Sequence, residues 1–236
     1  MLTIKTYVVS ILATLLLSAA APAQTQLPVT GLCNTGLTPA SPLPRGCRTS
    51  VLVTPVNPES GGPSVDGNWQ LATPYPSAPY NAPPPNPCTL SFGPAWVDAP
   101  WPAWFNPDDG LSQWITPQAD GPVDAGGWYI YRTTIPIPPL GPGHSAYLLS
   151  VAGQLIVDDY SYAIVLEDPA GSPLTCRTVS TVELSGHSAW SNFGFDALVA
   201  PNTVAYLYFV TYNIEQDYEN PTGLRLEFTS TSFTSK

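Results

Sequence analysis

The chain has 236 residues, among them 29 prolines and 18 glycines, and 17 acidic side chains stand against 7 lysines and arginines. That density of helix-breaking residues argues against helical domains, while a hydrophobic content of 44% argues against disorder. A net charge of −10 leaves no basic patch for nucleic acid or for an anionic membrane surface, so neutral glycans, cations or other proteins remain as partners.

Residues 1–23 read as a signal peptide. Lys5 supplies the positive start, Tyr7–Leu17 is an apolar run, and Ala21-Pro22-Ala23 fits a small-x-small cleavage site. The run falls short of the roughly 20 apolar residues of a spanning helix; an uncleaved N-terminal anchor is the rival. The expected location is therefore secreted or extracellular, with no membrane span after cleavage. In such a chain Cys33, Cys47, Cys88 and Cys176 are expected to be oxidised. Four cysteines allow three pairings. Cys33 with Cys47 would close a Pro/Gly-rich loop, and Cys88 with Cys176 would tie two distant parts of the fold. Zinc is disfavoured because no C-x-x-C pair occurs and neither His144 nor His187 has ligand spacing to a cysteine.

Residues 24–64 form a Pro-rich, disulfide-closed extension with one candidate strand, Thr49–Thr54. Residues 65–236 form the main domain. Its strand signals are Trp128–Pro136, Ala146–Val157, Tyr162–Glu167, Thr178–Leu184, Thr203–Tyr212 and Leu224–Thr229. In Tyr162–Glu167 the period of two puts Tyr162, Ile164 and Leu166 on one face. Thr203–Tyr212 is apolar on both faces, as a strand covered on both sides would be. In the last, Leu224, Leu226 and Phe228 point inward, and Arg225, Glu227 and Thr229 outward. Turn signals between the runs predict an all-β antiparallel sandwich or barrel.

Several segments together resemble a family of exported bacterial proteins, often exosortase-sorted, with a galactose-binding-like domain. They are Val65–Leu71 (VDGNWQL), the paired tryptophans of Pro102–Phe105 and Ser112–Pro117, Tyr129–Ile135 (YIYRTTI), the region Leu148–Ile164 and Asn220–Glu227 (NPTGLRLE). The resemblance covers about residues 65–230 and implies an antiparallel jelly-roll β-sandwich. This chain departs from the pattern at Asp158-Asp159, where the family has Asp-Asn. It also ends in TSFTSK without the Pro-Glu-Pro sorting signal, so sorting by that route is not expected. Domains of this type often hold a structural calcium, which makes Asp66 and Glu227 the candidate metal residues. The rival is that Glu227 pairs with Arg225 or meets solvent. No other cofactor is implied.

Nothing reads as a catalytic site. There is no G-x-S-x-G elbow, P-loop or dinucleotide fingerprint. Asp108-Asp109 and Asp158-Asp159 are sequence neighbours, which a strand would send to opposite faces, so neither makes a hydrolytic carboxylate pair by itself. Trp69, Trp104 and Trp114 fall on scaffold positions, whereas Trp96, Trp101 and Trp190 do not. An exposed ring is a platform for a sugar; a buried one fills the core. The expected function is thus a non-enzymatic binding or extracellular-matrix protein recognising carbohydrate. Trp101, Trp190 and Tyr160 would stack on the ligand, with Asp158 and Asp159 as hydrogen-bonding groups. A self-assembling surface subunit without a small ligand is the alternative, and a hydrolase comes third.

Overall fold

A computed structural model describes residues 24, 26–37, 43–52, 64–76, 82–97, 102, 104–106, 110–118, 125–168, 175–214 and 221–236. The predicted signal peptide lies outside them. The described residues form twelve strands: β1 (Gln26–Pro28), β2 (Val51–Leu52), β3 (Ser64–Pro76), β4 (Gly93–Val97), β5 (Ile115–Thr116), β6 (Gly127–Ile137), β7 (Tyr147–Asp158), β8 (Tyr160–Asp168), β9 (Thr175–Ser185), β10 (Ser191–Val199), β11 (Thr203–Asn213) and β12 (Gly223–Ser235). The only helical turn among them is a 3-10 turn at Pro87–Thr89. No helix among the described residues is long and apolar enough to cross a membrane.

The strands make one antiparallel sheet in the order β10-β7-β12-β5-β4-β3-β6-β11-β8-β9, with β1 added to β12 and β2 to β3. The sheet curls until its end strands, β9 and β10, touch. The Arg177 guanidinium reaches from β9 to the carbonyl of Leu198 on β10, and the Asp168 carboxylate accepts from the Ala200 amide at 2.8 Å. The result is nearly a barrel. Alternate residues of the strands line its interior: Leu149, Val151, Leu155 and Val157 of β7, Ala205, Leu207 and Phe209 of β11, and Leu224 and Leu226 of β12. Filling the space between opposed faces is what removes the apolar half of each strand from water.

The strand with two apolar faces lies centrally, as its pattern requires. While Ala205, Leu207 and Phe209 face the interior, Tyr208, Val210 and Tyr212 join Trp128 and Ile130 in a second cluster on the outer face. Cys88, Leu90 and Phe92 cover that cluster from outside, tied down by the Cys88–Cys176 disulfide. The other disulfide joins Cys33 to Cys47. The Cys33 carbonyl accepts the indole N–H of the fully buried Trp69 at 2.9 Å, so this closed loop is fastened directly to the core.

Two expectations about strand faces are corrected. In β8 the register shifts between Ser161 and Ala163, a β-bulge with Tyr162 as the extra residue. Ile164 and Leu166 remain inside, but Tyr162 turns out to lie edge-on against Trp128, because a bulge reverses the alternation. In β12, Arg225 and Glu227 do point away from the interior, yet both are buried, at 1% and 4% exposure. The loop carrying Trp104, Asn106, Ser112 and Trp114 covers them. Strand β10 has no counterpart among the predicted elements. Its own period of two puts Phe193, Phe195, Ala197 and Val199 against the core and Gly194, Asp196 and Leu198 outside.

Candidate functional site

Strand β7 ends at Asp158 and β8 begins at Tyr160, but the two are not ladder neighbours, since β7 pairs with β10 and β12, and β8 with β11 and β9. Asp159 is therefore the single residue of a corner between the two halves of the sheet, and the Asp158–Asp159 peptide is cis. The period of two does not carry through a corner. The two carboxyl groups, expected on opposite faces, instead meet in a hydrogen bond.

Three other segments close on this pair. Trp104 donates its indole N–H to Asp158 Oδ2 at 2.6 Å, and His187 Nδ1 lies 3.3 Å from Asp158 Oδ1. Thr222 donates to the Asp158 carbonyl at 2.6 Å. The Ile214 amide donates to Asp159 Oδ2 at 2.7 Å, and the Gly186 amide to the Asp159 carbonyl at 2.8 Å. Burial pushes the Asp159 carboxyl up to about 7, helped by its hydrogen bond to Asp158 and by that residue's charge; the Ile214 amide and His187 act in the opposite sense. A carboxyl that keeps its proton to near neutrality is general acid–base chemistry in kind. Here the oxygens are engaged in holding the Trp104 loop, the His187 turn and the end of β11 together.

A pH dependence follows. The folded chain holds the Asp159 proton more tightly than the unfolded one, whose carboxyl titrates near ~4. The stabilisation is therefore full below about pH 4 and is lost as pH rises through the folded value of about 7. Asp159→Asn still accepts from the Ile214 amide but cannot ionise. Its melting temperature, followed by calorimetry from pH 4 to 8, is expected to decline less than that of the wild type; parallel profiles would refute this origin.

Beneath the corner, Trp104 and Trp114 stack with centroids 4.1 Å apart. They lie on Gly223, where a Cβ would approach the Trp104 ring to 2.9 Å, so only glycine permits this contact. Trp190 packs half-buried against the same two rings, and the Arg225 guanidinium sits 5.4 Å from its centroid. Arg225 donates Nε–H to Ser112 Oγ at 2.7 Å and an Nη1–H to Asn106 Oδ1 at 2.7 Å, and its Nη2 is 3.8 Å from Glu227 Oε1. Glu227 in turn accepts from Ser112 and from Gln154, at 2.7 and 2.8 Å.

The residues singled out in the sequence thus fall in three places. Asp158, Asp159 and Trp190 gather at the corner and the tryptophan stack beside it. Tyr160 follows Asp159 in sequence but packs on the outer-face cluster with Trp128. Trp101 lies outside the described residues. Asp66 is buried and accepts from the amides of Gly36, Asn68 and Trp69 at 2.6, 2.7 and 3.2 Å. Burial raises its pKa against the pull of those amides. Asp66 and Glu227 are both surrounded by N–H and O–H donors rather than by further oxygen ligands, and no group of three or more His, Cys, Asp or Glu suited to a metal occurs among the described residues.

Among the described residues, a space large enough for a ligand lies away from this corner, on the outer face of the sheet. A groove of about 670 Å³ runs between the disulfide-closed segment and the outer face of β3, β4 and β6, and Arg48, Asn68, Gln70, Phe92, Arg132 and Thr134 line it. The strands fix these side chains: Gln70 on β3 is the direct cross-strand partner of Arg132 on β6. Arg132 donates Nε–H to Gln70 Oε1 at 3.1 Å, and an Nη2–H goes to the same oxygen. Its guanidinium carbon lies 3.9 Å from the ring centre of Phe92 and 4.8 Å from that of Tyr206, so cation–π attraction holds its position. The far wall is anchored by Asn68, which accepts from the Arg48 amide and donates to the Arg48 carbonyl, at 2.8 and 2.7 Å.

Reading the sequence by strand faces puts Arg132 and Thr134 on the side of β6 away from the core, because Tyr131, Thr133 and Ile135 take the other. It does not reveal that Gln70 stands opposite Arg132 or that residues 46–48 fold over them. No protein-family model and no curated protein sequence matches the chain.

Proposed function

We propose that this chain is an exported, non-enzymatic carbohydrate-binding protein whose ligand lies in the groove between the Cys33–Cys47 segment and the outer face of β3 and β6. The carrying observation is the groove's lining: amide, hydroxyl and guanidinium groups beside aromatic rings, in a volume of about 670 Å³. Sugar sites need that mixture, with hydrogen bonds to orient the hydroxyl groups and a π-face for the C–H face of the ring. Asn68, Gln70, Arg132 and Thr134 stand on strands, and Arg48 and Phe92 lie within a few residues of the disulfide cysteines Cys47 and Cys88, so little ordering remains to be paid for on binding.

Two disulfides agree with an oxidising, extracellular compartment. The curled antiparallel sheet is compatible with the jelly-roll sandwich of the galactose-binding-like family that the sequence resembles, and that membership is part of the proposal. The groove takes over the ligand role first given to Asp158, Asp159, Tyr160 and Trp190, whose described polar groups and rings are occupied by neighbours at and beside the corner.

Isothermal titration with a panel of neutral and acidic oligosaccharides tests the reading. Saturable binding of at least one sugar is expected, weakened at least tenfold by Arg132→Ala with an unchanged far-ultraviolet spectrum. Binding that survives Arg132→Ala would move the site away from the groove. No heat from any sugar would end the carbohydrate reading and favour the self-assembling subunit, to be checked by sedimentation.

A further inference from the structure

From the charge arrangement of this groove we infer that its ligand is a carboxylated saccharide, a uronate-containing chain, held through Arg132 and Arg48. The inference rests on the carbohydrate reading above and narrows it. The chain carries a net charge of −10 and only five arginines. Two of the five, Arg48 and Arg132, face one groove, while Arg225 is buried under the tryptophan loop and Arg177 closes the sheet against β10. Asp66 is the acidic residue of the lining, and its carboxyl oxygens are turned to the amides of Gly36, Asn68 and Trp69. The groove is therefore a cationic strip on an acidic protein, unlike the uniformly acidic surface that composition alone suggests.

The geometry is specific for a planar acid. Arg132 lies against the rings of Phe92 and Tyr206 and meets the Tyr208 hydroxyl, which donates to Glu167, so the Nε/Nη2 edge turned to Gln70 is its recognising surface. A carboxylate pairs with that edge through two parallel N–H···O bonds. At present a single oxygen, Gln70 Oε1, accepts from both Nε and Nη2, occupying the place of a carboxylate oxygen. Gln70 is exposed, so its side chain can swing aside and offer its own amide to a sugar hydroxyl. Arg48, also exposed on the opposite wall, would meet a second acidic residue further along the chain. Repulsion from the rest of the acidic surface does not prevent this, because charges more than ~8 Å away are largely screened at physiological ionic strength.

The test compares oligogalacturonate and oligoalginate with their carboxyl-reduced counterparts, by isothermal titration of the disulfide-intact chain. At least one acidic oligomer is expected to bind at least tenfold more tightly than its reduced form. Arg132→Gln should abolish that preference. Arg48→Gln, on an exposed side chain with little effect on folding, should diminish it several-fold. Equal binding of acidic and reduced forms, or binding confined to neutral members of the wider panel, would overturn the uronate inference while leaving the carbohydrate reading intact. Silence of the entire panel would remove both. A preference for acidic oligomers that survives both arginine substitutions would overturn the assignment to this groove.

Discussion

Glu227→Ala is expected to destabilise the fold by roughly 3–5 kcal/mol, the cost of leaving a buried charge without its counter-charge. Glu227 and Arg225 sit on the same face of β12, both almost fully buried, with Nη2 and Oε1 3.8 Å apart and Ser112 Oγ bridging them. Removing the carboxylate leaves the guanidinium under the Trp104–Trp114 loop, where water cannot replace it. Ser112 and Gln154 lose their acceptor at the same time. The double variant Arg225→Leu/Glu227→Leu removes both charges and is expected to be more stable than Glu227→Ala, since a buried pair gives little net stability over an apolar one. Urea unfolding of the three proteins measures this. A double variant as unstable as Glu227→Ala would mean that the pair is stabilising in its own right, beyond the cost of a stranded charge.

The second large effect concerns Cys88–Cys176. The two cysteines are 88 residues apart in sequence, and closing a loop of that size in the unfolded chain is worth about 4–5 kcal/mol in a chain-entropy treatment. Cys88→Ala/Cys176→Ala should therefore lower the melting temperature by on the order of 10 °C for a chain of this length. This bond also pins the segment bearing Leu90 and Phe92 onto the outer-face cluster, and Phe92 is one of the two rings that hold Arg132. The double alanine variant should thus lose affinity for any groove ligand at temperatures where it is still folded. Calorimetry followed by titration at 20 °C separates the two consequences. A melting temperature within a degree or two of the wild type would show that the unfolded chain is already restricted by other means.

How far the sequence speaks depends on whether a feature is local. The interior of the sheet was legible where a strand carries its own periodicity, as in Leu224 and Leu226 or the two-faced run from Val204 to Tyr212. Corners and bulges were not. Tyr162 and Asp159 each follow from an interruption of the alternation, and nothing in the neighbouring residues marks where it falls. The burial of Arg225 depends on a loop that precedes it by more than a hundred residues, and a charged pair on the outward side of a strand reads as solvated until that loop is placed. The groove escaped notice for a related reason. Gln70, Phe92 and Arg132 come from three separate strands or approaches to them, and only the pairing of β3 with β4 and β6 sets them side by side.

The contact between β9 and β10 has a consequence for life at high local concentration. A sheet with open ends offers unpaired amides and carbonyls to any passing extended segment, its own copies included. Here the two ends face each other, with the Leu198 carbonyl capped by Arg177 and the Ala200 amide taken by Asp168. A strand arriving from another molecule would have to displace a guanidinium and a carboxylate to reach these two groups. At this end of the sheet, then, lengthening by a strand from another copy competes with contacts the molecule already makes with itself.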